Sequence, residues 1–319
     1  MKTKSILALF LLFGFSQIAF GQVTVMESKL RTLNTDTVQG WKRGGVFAIN
    51  LAQTSLTNWA AGGQNSLSIN GLFSVFANYH RDKNVWDNSL DVGYGLLKQG
   101  KNSDYMKTDD RFDFLSKYGR QAFKNFYYSG LLNFKTQMTE GLDYKSDTSR
   151  ISDFLAPAYF LGALGMDYKP SSHFSAFLAP LTGKITIVND QQLADAGAFG
   201  VTPATYDNLG NKLTNGKRSK SEFGGYLRVI YTNNAFKTEF LKNISFATKA
   251  DFFSSYLHNP QNIDVNWENL IAFKVNKFIS VKVNTKFLYD DDINIVVDGK
   301  SAPRIQFKEI LGVGFSYNF

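Results

Sequence analysis

Apolar and polar residues alternate along most of the chain, and the alternation is longest from Arg304 to Phe319. Apart from Glu309, one face of this stretch is apolar: Ile305, Phe307, Leu311, Val313, Phe315, Tyr317 and Phe319. The other face is mostly small or polar. A period of two over this length predicts a β-strand rather than a helix. The strand is longer than most strands of soluble proteins and long enough to cross a bilayer at a tilt.

The same alternation predicts about twelve strands, joined by connections that are short and long in turn. They lie near 44–53, 66–80, 86–96, 112–118, 126–138, 151–168, 174–188, 223–231, 244–256, 263–275, 279–289 and 304–319. This pattern predicts an all-β protein, an antiparallel transmembrane β-barrel with short periplasmic turns and longer outer loops. A soluble β-sandwich is the alternative, but sandwiches seldom use so many long strands with one apolar face.

Composition supports the same class. The chain has 319 residues, a net charge of +8 and no cysteine, so disulfides and thiolate metal sites are excluded. After residue 20, no apolar run approaches the roughly 18 residues of a membrane helix, which excludes a helical membrane protein. The mildly basic charge is compatible with anionic solutes or lipopolysaccharide phosphates as partners, or simply with a solvated surface.

The first residues have the features of an export signal. Lys2 and Lys4 precede an apolar core at 6–15, and small residues flank a cleavage point after Gly21. We therefore predict a cleaved signal peptide at 1–21, which directs export through the inner membrane to the outer membrane. A periplasmic tail or short plug is predicted at 22–43, and the barrel at 44–319.

Several stretches resemble a Bacteroidetes-type family of outer-membrane β-barrels that is catalogued as a domain of unknown function. They are GWKRGG at 40–45, LTNWAAGG at 56–63, GYGLLKQG at 93–100, ALGMDYKP at 163–170, NIDVNWE at 262–268 and YDDDI at 289–293. The resemblance implies a barrel in the outer membrane and brings no catalytic residues. The aromatic end of the chain is similar to the closing strand of such barrels, and Phe315, Tyr317 and Phe319 are the candidate signal for barrel insertion.

Enzyme chemistry has little support. The three histidines are scattered: His80 and His173 fall at predicted periplasmic turns, and His258 lies alone at an outer rim. His173 and Ser175 share a strand face, but on the wrong side of the membrane for a barrel phospholipase. We predict no catalytic site, cofactor or metal. The acidic clusters at 109–110 and 290–292 lack the spacing of a calcium loop, so solvated strand ends are the simpler interpretation.

The most informative residues for function are charged residues that are expected to face the barrel interior. They are Asp87, Asp91, Lys135, Lys249, Asp251, Asp264, Glu268, Lys274, Lys282, Lys286 and Lys308. Two functions follow. These charges line a narrow channel for passive transport of small solutes, or they neutralise one another and fill the interior of a non-conducting structural or assembly component. Barrels of about twelve strands lie between the filled and the open sizes.

The second function needs a partner surface. The NWAAGG loop, with Asn58, Trp59, Gly62 and Gly63, is the candidate, because an aromatic beside glycines is typical of interface anchors. The expected partners are outer-membrane lipids and lipopolysaccharide, the barrel-insertion machinery during biogenesis, and an unidentified protein. The basic run at 217–220 lies in a predicted outer loop, so we expect no nucleic acid.

Overall fold

Twelve long strands follow one another along the chain, and each pairs antiparallel with the next. The computed structural model describes residues 39–55, 64–100, 103–144, 149–233, 236–238, 241–257, 259–274, 280–297 and 300–318. The strands are β1 (Gly40–Thr54), β2 (Ser66–Arg81), β3 (Asn84–Gln99), β4 (Met106–Phe123), β5 (Phe126–Thr136), β6 (Ala158–Ser171), β7 (Phe174–Ile187), β8 (Ser219–Asn233), β9 (Ile244–Ser255), β10 (Asp264–Lys274), β11 (Ser280–Tyr289) and β12 (Gln306–Asn318).

The sheet closes on itself because β12 pairs with β1, with Phe47 opposite Tyr317 and Ile49 opposite Phe315. The result is a closed antiparallel barrel of twelve strands, which confirms the predicted fold class. Closure gives every strand a neighbour on both sides, which suits a wall in lipid, although within the described residues β12 and β1 pair over only the four residues from Val46 to Ile49. None of the helices in the described part of the chain is long and apolar enough to span a membrane.

The two ends of the barrel differ in their connections. At one end, two-residue turns join β2 to β3, β4 to β5 and β6 to β7. Asp82 (φ 53°) and Lys124 (φ 37°) adopt the left-handed conformation in these turns, which suits tight hairpins. The connections at the other end are longer. We call the two ends the short-turn end and the long-loop end.

The wall separates polar from apolar side chains by the two-residue period. On β5, Ser129 and Asn133 are buried and point inward, whereas Tyr128 and Leu132 are 63% and 50% exposed on the outer face. The other strands repeat this arrangement. The interior is therefore largely polar and the outer surface apolar, the reverse of a soluble barrel.

Several strand boundaries differ from the sequence prediction; the fourth strand begins at Met106 rather than near 112, and the eighth at Ser219 rather than near 223. The first strand begins at Gly40 rather than Gly44, because its early residues continue the ladder with β2 as far as Gly40 opposite His80. The sixth strand begins at Ala158 rather than near Ile151. Residues 150–152 instead pair with Gly141–Leu142 in a small hairpin of the long loops.

The long connection between β7 and β8 is folded rather than irregular. It contains a short helix, α1 (Gln191–Asp195), a 3₁₀ turn at Ala198–Gly200, and a hairpin of Thr205–Tyr206 with Lys212–Thr214. Val188, Leu193 and Val201 form a small apolar cluster with Ala156 from the preceding loop. This cluster explains how a long loop holds one conformation at the barrel mouth.

Candidate functional site

The predicted inward-facing charges lie on the same face as the buried polar residues of each strand. The alternation places Lys135, Lys249, Asp251, Asp264, Glu268, Lys286 and Lys308 there, together with Asp91, whose carboxylate accepts a hydrogen bond from Ser74. Lys274 and Lys282 occupy positions in β10 and β11, but their side chains lie outside the described residues. The barrel interior is thus the candidate functional site.

Two buried charges on neighbouring strands form a closed pair. Arg228 on β8 donates from Nε to Asp251 Oδ1 at 2.6 Å and from Nη2 to Oδ2 at 3.1 Å. The Tyr226 hydroxyl donates to the same Oδ1 at 2.7 Å. Two-point contact with an arginine is the strongest common form of ion pair. The contact with Arg228 therefore compensates the negative charge of Asp251 inside the barrel.

Four charges line up across neighbouring strands on one side of the interior. Lys249, Glu268, Lys286 and Lys308 are successive cross-strand neighbours on β9 to β12. The Glu268 carboxylate lies 3.3 Å from the Lys249 ammonium and 3.5 Å from the Lys286 ammonium, so it forms ion pairs with both lysines. This row, which we call the basic wall, has three cations for one carboxylate.

The facing side has the opposite balance. Asp91 on β3 is the direct cross-strand neighbour of Asp113 on β4, and Asp109 lies further along β4 towards the long-loop end. Asn133 donates to Asp113 at 2.6 Å. Arg111 is the cation among them. We call Asp91, Asp109, Asp113 and Arg111 the acidic wall.

Several ion pairs bridge strands that are not neighbours, and we call them the cross-lumen pairs. Lys308 on β12 reaches Asp109 on β4 at 2.8 Å, and Lys135 on β5 lies 3.9 Å from Asp251 on β9; each contact spans four strand positions around the ring. Two more pairs each span three strand positions: Lys184 with Asp264 at 2.7 Å and Lys169 with Asp87 at 3.0 Å. Their side chains therefore cross the interior rather than lie along the wall.

Sequence reasoning missed a buried group near the short-turn end. Lys117 Nζ lies 2.5 Å from Asp167 Oδ2, and Lys169 lies between Asp167 (3.6 Å) and Asp87 (3.0 Å). A signal was present, because Asp167 and Lys169 alternate with the apolar Met166 and Tyr168. Lys184, Glu222 and Arg228 were not predicted either, because β7 and β8 are recognisable in the sequence mainly by their apolar face.

Part of the interior is apolar, which the sequence analysis did not anticipate. Phe177, Leu131, Tyr226 and Phe253 pack together inside the barrel with Ala163 and Ala179. Phe177 is fully buried. Beside β5 to β9 the interior is consequently filled by these side chains.

The acidic loop residues have structural partners. The Asp110 carboxylate accepts from the backbone N–H groups of Met138 and Thr139 and pairs with Lys107 at 2.9 Å. Asp291 accepts from Asn262, and Asp292 pairs with Lys220. In the described ranges, no group of three or more potential ligands is arranged to hold a metal ion. These clusters were predicted to be solvated strand ends; they do lie near strand ends, but their carboxylates are paired and Asp110 is buried rather than solvated.

The outer loops hold together by charged contacts. Asp190 caps α1 by accepting from the Leu193 N–H at 2.8 Å, and Arg150 reaches both Asp190 (2.8 Å) and Glu140 (2.6 Å). At the other end of α1, Asp195 pairs with Lys212 and accepts from the Gly216 N–H at 2.7 Å. Loops from three connections are thereby fixed over the mouth, since Gly200 also lies against Asp292.

The Asp195 contact is expected to depend on pH. Its hydrogen bonds from Lys212, Gly216 and Gln191 lower the pKa of the carboxyl from 3.8 to about 2. Because the pKa is lowered by folding, the carboxylate stabilises the folded loop above pH 4 and loses this effect as the pH falls through about 2. Hydrogen exchange, corrected for intrinsic rates, should show the Gly216 amide protected at pH 4 and exposed near pH 2.

Substitution provides the control. The Asp195→Ala variant removes the acceptor and should expose the Gly216 amide at neutral pH. Asp207→Ala, in the same loop, should expose the Asn211 amide, which donates to Asp207, and leave Gly216 protected. Unchanged Gly216 protection in the Asp195→Ala variant would contradict this role.

The remaining predicted residues lie in different settings. Asn58, Trp59, Gly62 and Gly63 fall outside the described residues, as do His258 and Phe319. Phe315 and Tyr317 occupy positions in the closing ladder of β12 with β1. His173 lies in the β6–β7 turn, where its Nδ1 is 2.9 Å from the Thr232 carbonyl oxygen. The His173 contact lies at this turn, apart from the interior charge network.

Residues 51–142 match the model of a family described as "Protein of unknown function (DUF3078)". The match confirms the predicted resemblance to a family catalogued as a domain of unknown function, and it includes the motifs at 56–63 and 93–100. The Bacteroidetes origin of the family stays a prediction. No curated protein matches the chain in sequence.

Solved structures of low identity also resemble the chain. The COG4313 outer membrane channel from Pseudomonas putida F1 has 8% identity and a TM-score of 0.40, with 89% of this chain and 97% of that chain covered. The NanC porin has 7% identity and a TM-score of 0.35, covering 86% and 97%. The translocator domain of autotransporter NalP from Neisseria meningitidis has 10% identity and a TM-score of 0.36, covering 90% and 91%. These similarities are distant, and the function proposed below rests on the barrel itself.

Proposed function

We propose that this chain is an outer-membrane channel, a narrow barrel through which small solutes pass passively. The proposal includes the predicted cleaved signal peptide at 1–21, contact with outer-membrane lipids and lipopolysaccharide, and insertion by the barrel-assembly machinery. It includes no catalytic step and no nucleic acid. Two features of the barrel support it, the apolar outer surface and the hydrated charges of the interior.

The outer surface supports a lipid environment. Large apolar side chains are exposed around the wall, such as Leu164 (60%) and Leu178 (59%). An apolar surface this extensive is unfavourable in water. Aromatic rings cluster towards both ends: Trp41 lies 5.2 Å from Tyr79 and 5.6 Å from Trp86 at the short-turn end. Towards the long-loop end, the Trp267, Phe287 and Phe307 rings are successive neighbours. Such girdles are typical of membrane interfaces.

The observation that carries the channel proposal is the exposure of charges inside the wall. Lys286 and Lys308 point inward, yet their side chains are 33% and 44% exposed. An ammonium group shielded from water is costly, so these side chains require water inside the barrel. Within the pairs of the basic wall the lysine is more exposed than its carboxylate partner, which makes lysine the first contact for an entering solute.

A second function, a non-conducting structural component, also has a specific observation in its favour. The packed cluster around Phe177 and the cross-lumen pairs reduce the free cross-section on one side of the interior. In that case the outer loops would bind a partner, as predicted for Trp59. Conductance separates the two functions.

Single-channel recording of the purified protein in a planar lipid bilayer tests the proposal. We expect discrete current steps, and we expect the anion preference to fall in the Lys286→Gln and Lys308→Gln variants because they remove the exposed cations. Heat-modifiable gel mobility should verify folding of each protein. A silent bilayer with folded protein would overturn the channel and favour the structural component.

The lipid-facing side of the barrel offers a separate stability test. Glu309 is exposed on the outer face of β12, between Phe307 and Leu311. A carboxylate at such a position is unfavourable in lipid, so Glu309→Leu should raise the free energy of unfolding by about 1 kcal/mol. Urea unfolding in lipid vesicles measures this change. Glu309→Gln should give a smaller gain, and a loss in both variants would mean that Glu309 binds a partner.

A further inference from the structure

The most accessible cross-lumen pair is Lys308 with Asp109. Lys308 Nζ lies 2.8 Å from Asp109 Oδ1 and 3.2 Å from the Thr108 carbonyl oxygen. The pair joins the basic wall to the acidic wall near the long-loop end, and its side chains are 44% and 25% exposed. Exposed ion pairs are weak and exchange readily with other charges. A solute that enters from this end would meet the pair before the buried ones.

The charges around this pair are mostly of opposite sign on the two sides. Lys286 lies directly across from Lys308 in the ladder, and Arg111 of the acidic wall is close enough to it to interact electrostatically. On the facing side, Asp113 and Asp91 continue the acidic wall, where Lys135 lies 3.7 Å from Asp113. Asp251, the acidic residue of β9 next to the basic wall, is compensated by Arg228. The two walls therefore create a field across the interior.

From this arrangement we infer that the preferred solutes of the channel are small zwitterions, molecules with one carboxylate and one ammonium group. The inference rests on the proposed function. Passage requires the Lys308–Asp109 contact to open, which leaves two opposite charges without partners. The carboxylate of a zwitterion binds Lys308 while its ammonium group binds Asp109, so both charges stay paired.

Solutes of other classes pair with fewer of the two charges that the opened contact exposes. A neutral solute pairs with neither charge, a small anion only with Lys308 and a small cation only with Asp109. Alignment in the field across the interior adds to the advantage of a molecule with separated charges. The same walls disfavour a zwitterion in the reverse orientation, so solutes are expected to pass with the carboxylate towards β12.

Swelling of proteoliposomes in alanine and in lactamide tests the inference, because the two are isomers and only alanine is zwitterionic. With wild-type protein we expect alanine to enter at least roughly threefold faster than lactamide, as expected for a weak pairwise preference. Equal entry rates of the two would overturn the inference while leaving the channel intact. Entry of neither solute would overturn the proposed function, and the inference with it.

Two variants identify the responsible pair. In Lys308→Met/Asp109→Asn, the preference should fall to near one, and lactamide entry should rise because the cross-lumen contact is gone. In the exchanged variant Lys308→Asp/Asp109→Lys, the pair still offers one charge of each sign, so alanine should still enter faster than lactamide, by a smaller ratio because the rest of the two walls disfavours the reversed orientation. Loss of the preference in the exchanged variant, with folding verified by gel mobility, would contradict pairing with both charges.

Discussion

Replacing Arg228 with methionine is expected to lower the free energy of unfolding by about 3–5 kcal/mol. Arg228 and Asp251 are both buried, and the guanidinium makes two hydrogen bonds to the carboxylate. Without Arg228, the carboxylate keeps the Tyr226 hydroxyl and the more distant Lys135 at 3.9 Å. A buried charge with so little compensation is costly. Urea unfolding in lipid vesicles, followed by gel mobility, measures the loss.

A double variant separates the lost pair from lost packing. Arg228→Met/Asp251→Asn removes both charges and retains an amide oxygen that can accept from Tyr226. It should recover more than half of the stability lost in the single variant, because no uncompensated charge is left. If the double variant is as unstable as the single one, the arginine acts through its packing rather than its charge.

The second large effect concerns the apolar cluster inside the barrel. Phe177→Ala is expected to cost about 3–5 kcal/mol, the usual range for a fully buried phenylalanine. Phe177 packs against Tyr226 with ring centroids 6.3 Å apart and lies under the Lys117 ammonium at 5.8 Å. Its removal leaves a cavity among side chains that are held on a rigid wall. Urea unfolding again provides the measurement.

The adjacent residue is a matched control. Leu178 is 59% exposed on the outer face, so Leu178→Ala removes contacts with lipid and leaves no internal cavity. Its cost should be well below that of Phe177→Ala. Similar costs at the two positions would contradict the assignment of Phe177 to the interior and Leu178 to the outer surface.

The outer face of the barrel could be predicted from the sequence because the lipid imposes one rule on every strand. Residues that contact lipid are predominantly apolar, with Glu309 as an exception, so Phe73, Leu132 and Phe307 mark their strands by period alone. The short turns then determine which strands pair. The first residues of several strands were predicted less well, because the alternation of apolar and polar residues does not change, for example, at Trp41, which extends its strand, or at Ala158, which begins one.

The interior could be predicted only in part, because it obeys no single rule. Its charges were found where strands alternate cleanly, as for Lys249 and Asp251. Phe177 and Tyr226 were missed because an apolar inward residue has no signature in a periodic pattern. The cross-lumen pairs were also inaccessible to sequence reasoning, since Lys308 and Asp109 are distant in sequence and meet only once the ring closes.

The most direct test of a hydrated interior within a lipid-facing wall is labelling of introduced cysteines. The chain has no cysteine, so single variants report without background. Lys286→Cys and Val283→Cys place a thiol on β11, the first inward and the second outward near the middle of the strand. In the barrel reconstituted in lipid vesicles, a charged, water-soluble thiol reagent should modify the Lys286→Cys variant and leave the Val283→Cys variant unmodified. The reverse result, or equal labelling of both, would contradict the barrel orientation on which the proposed channel depends.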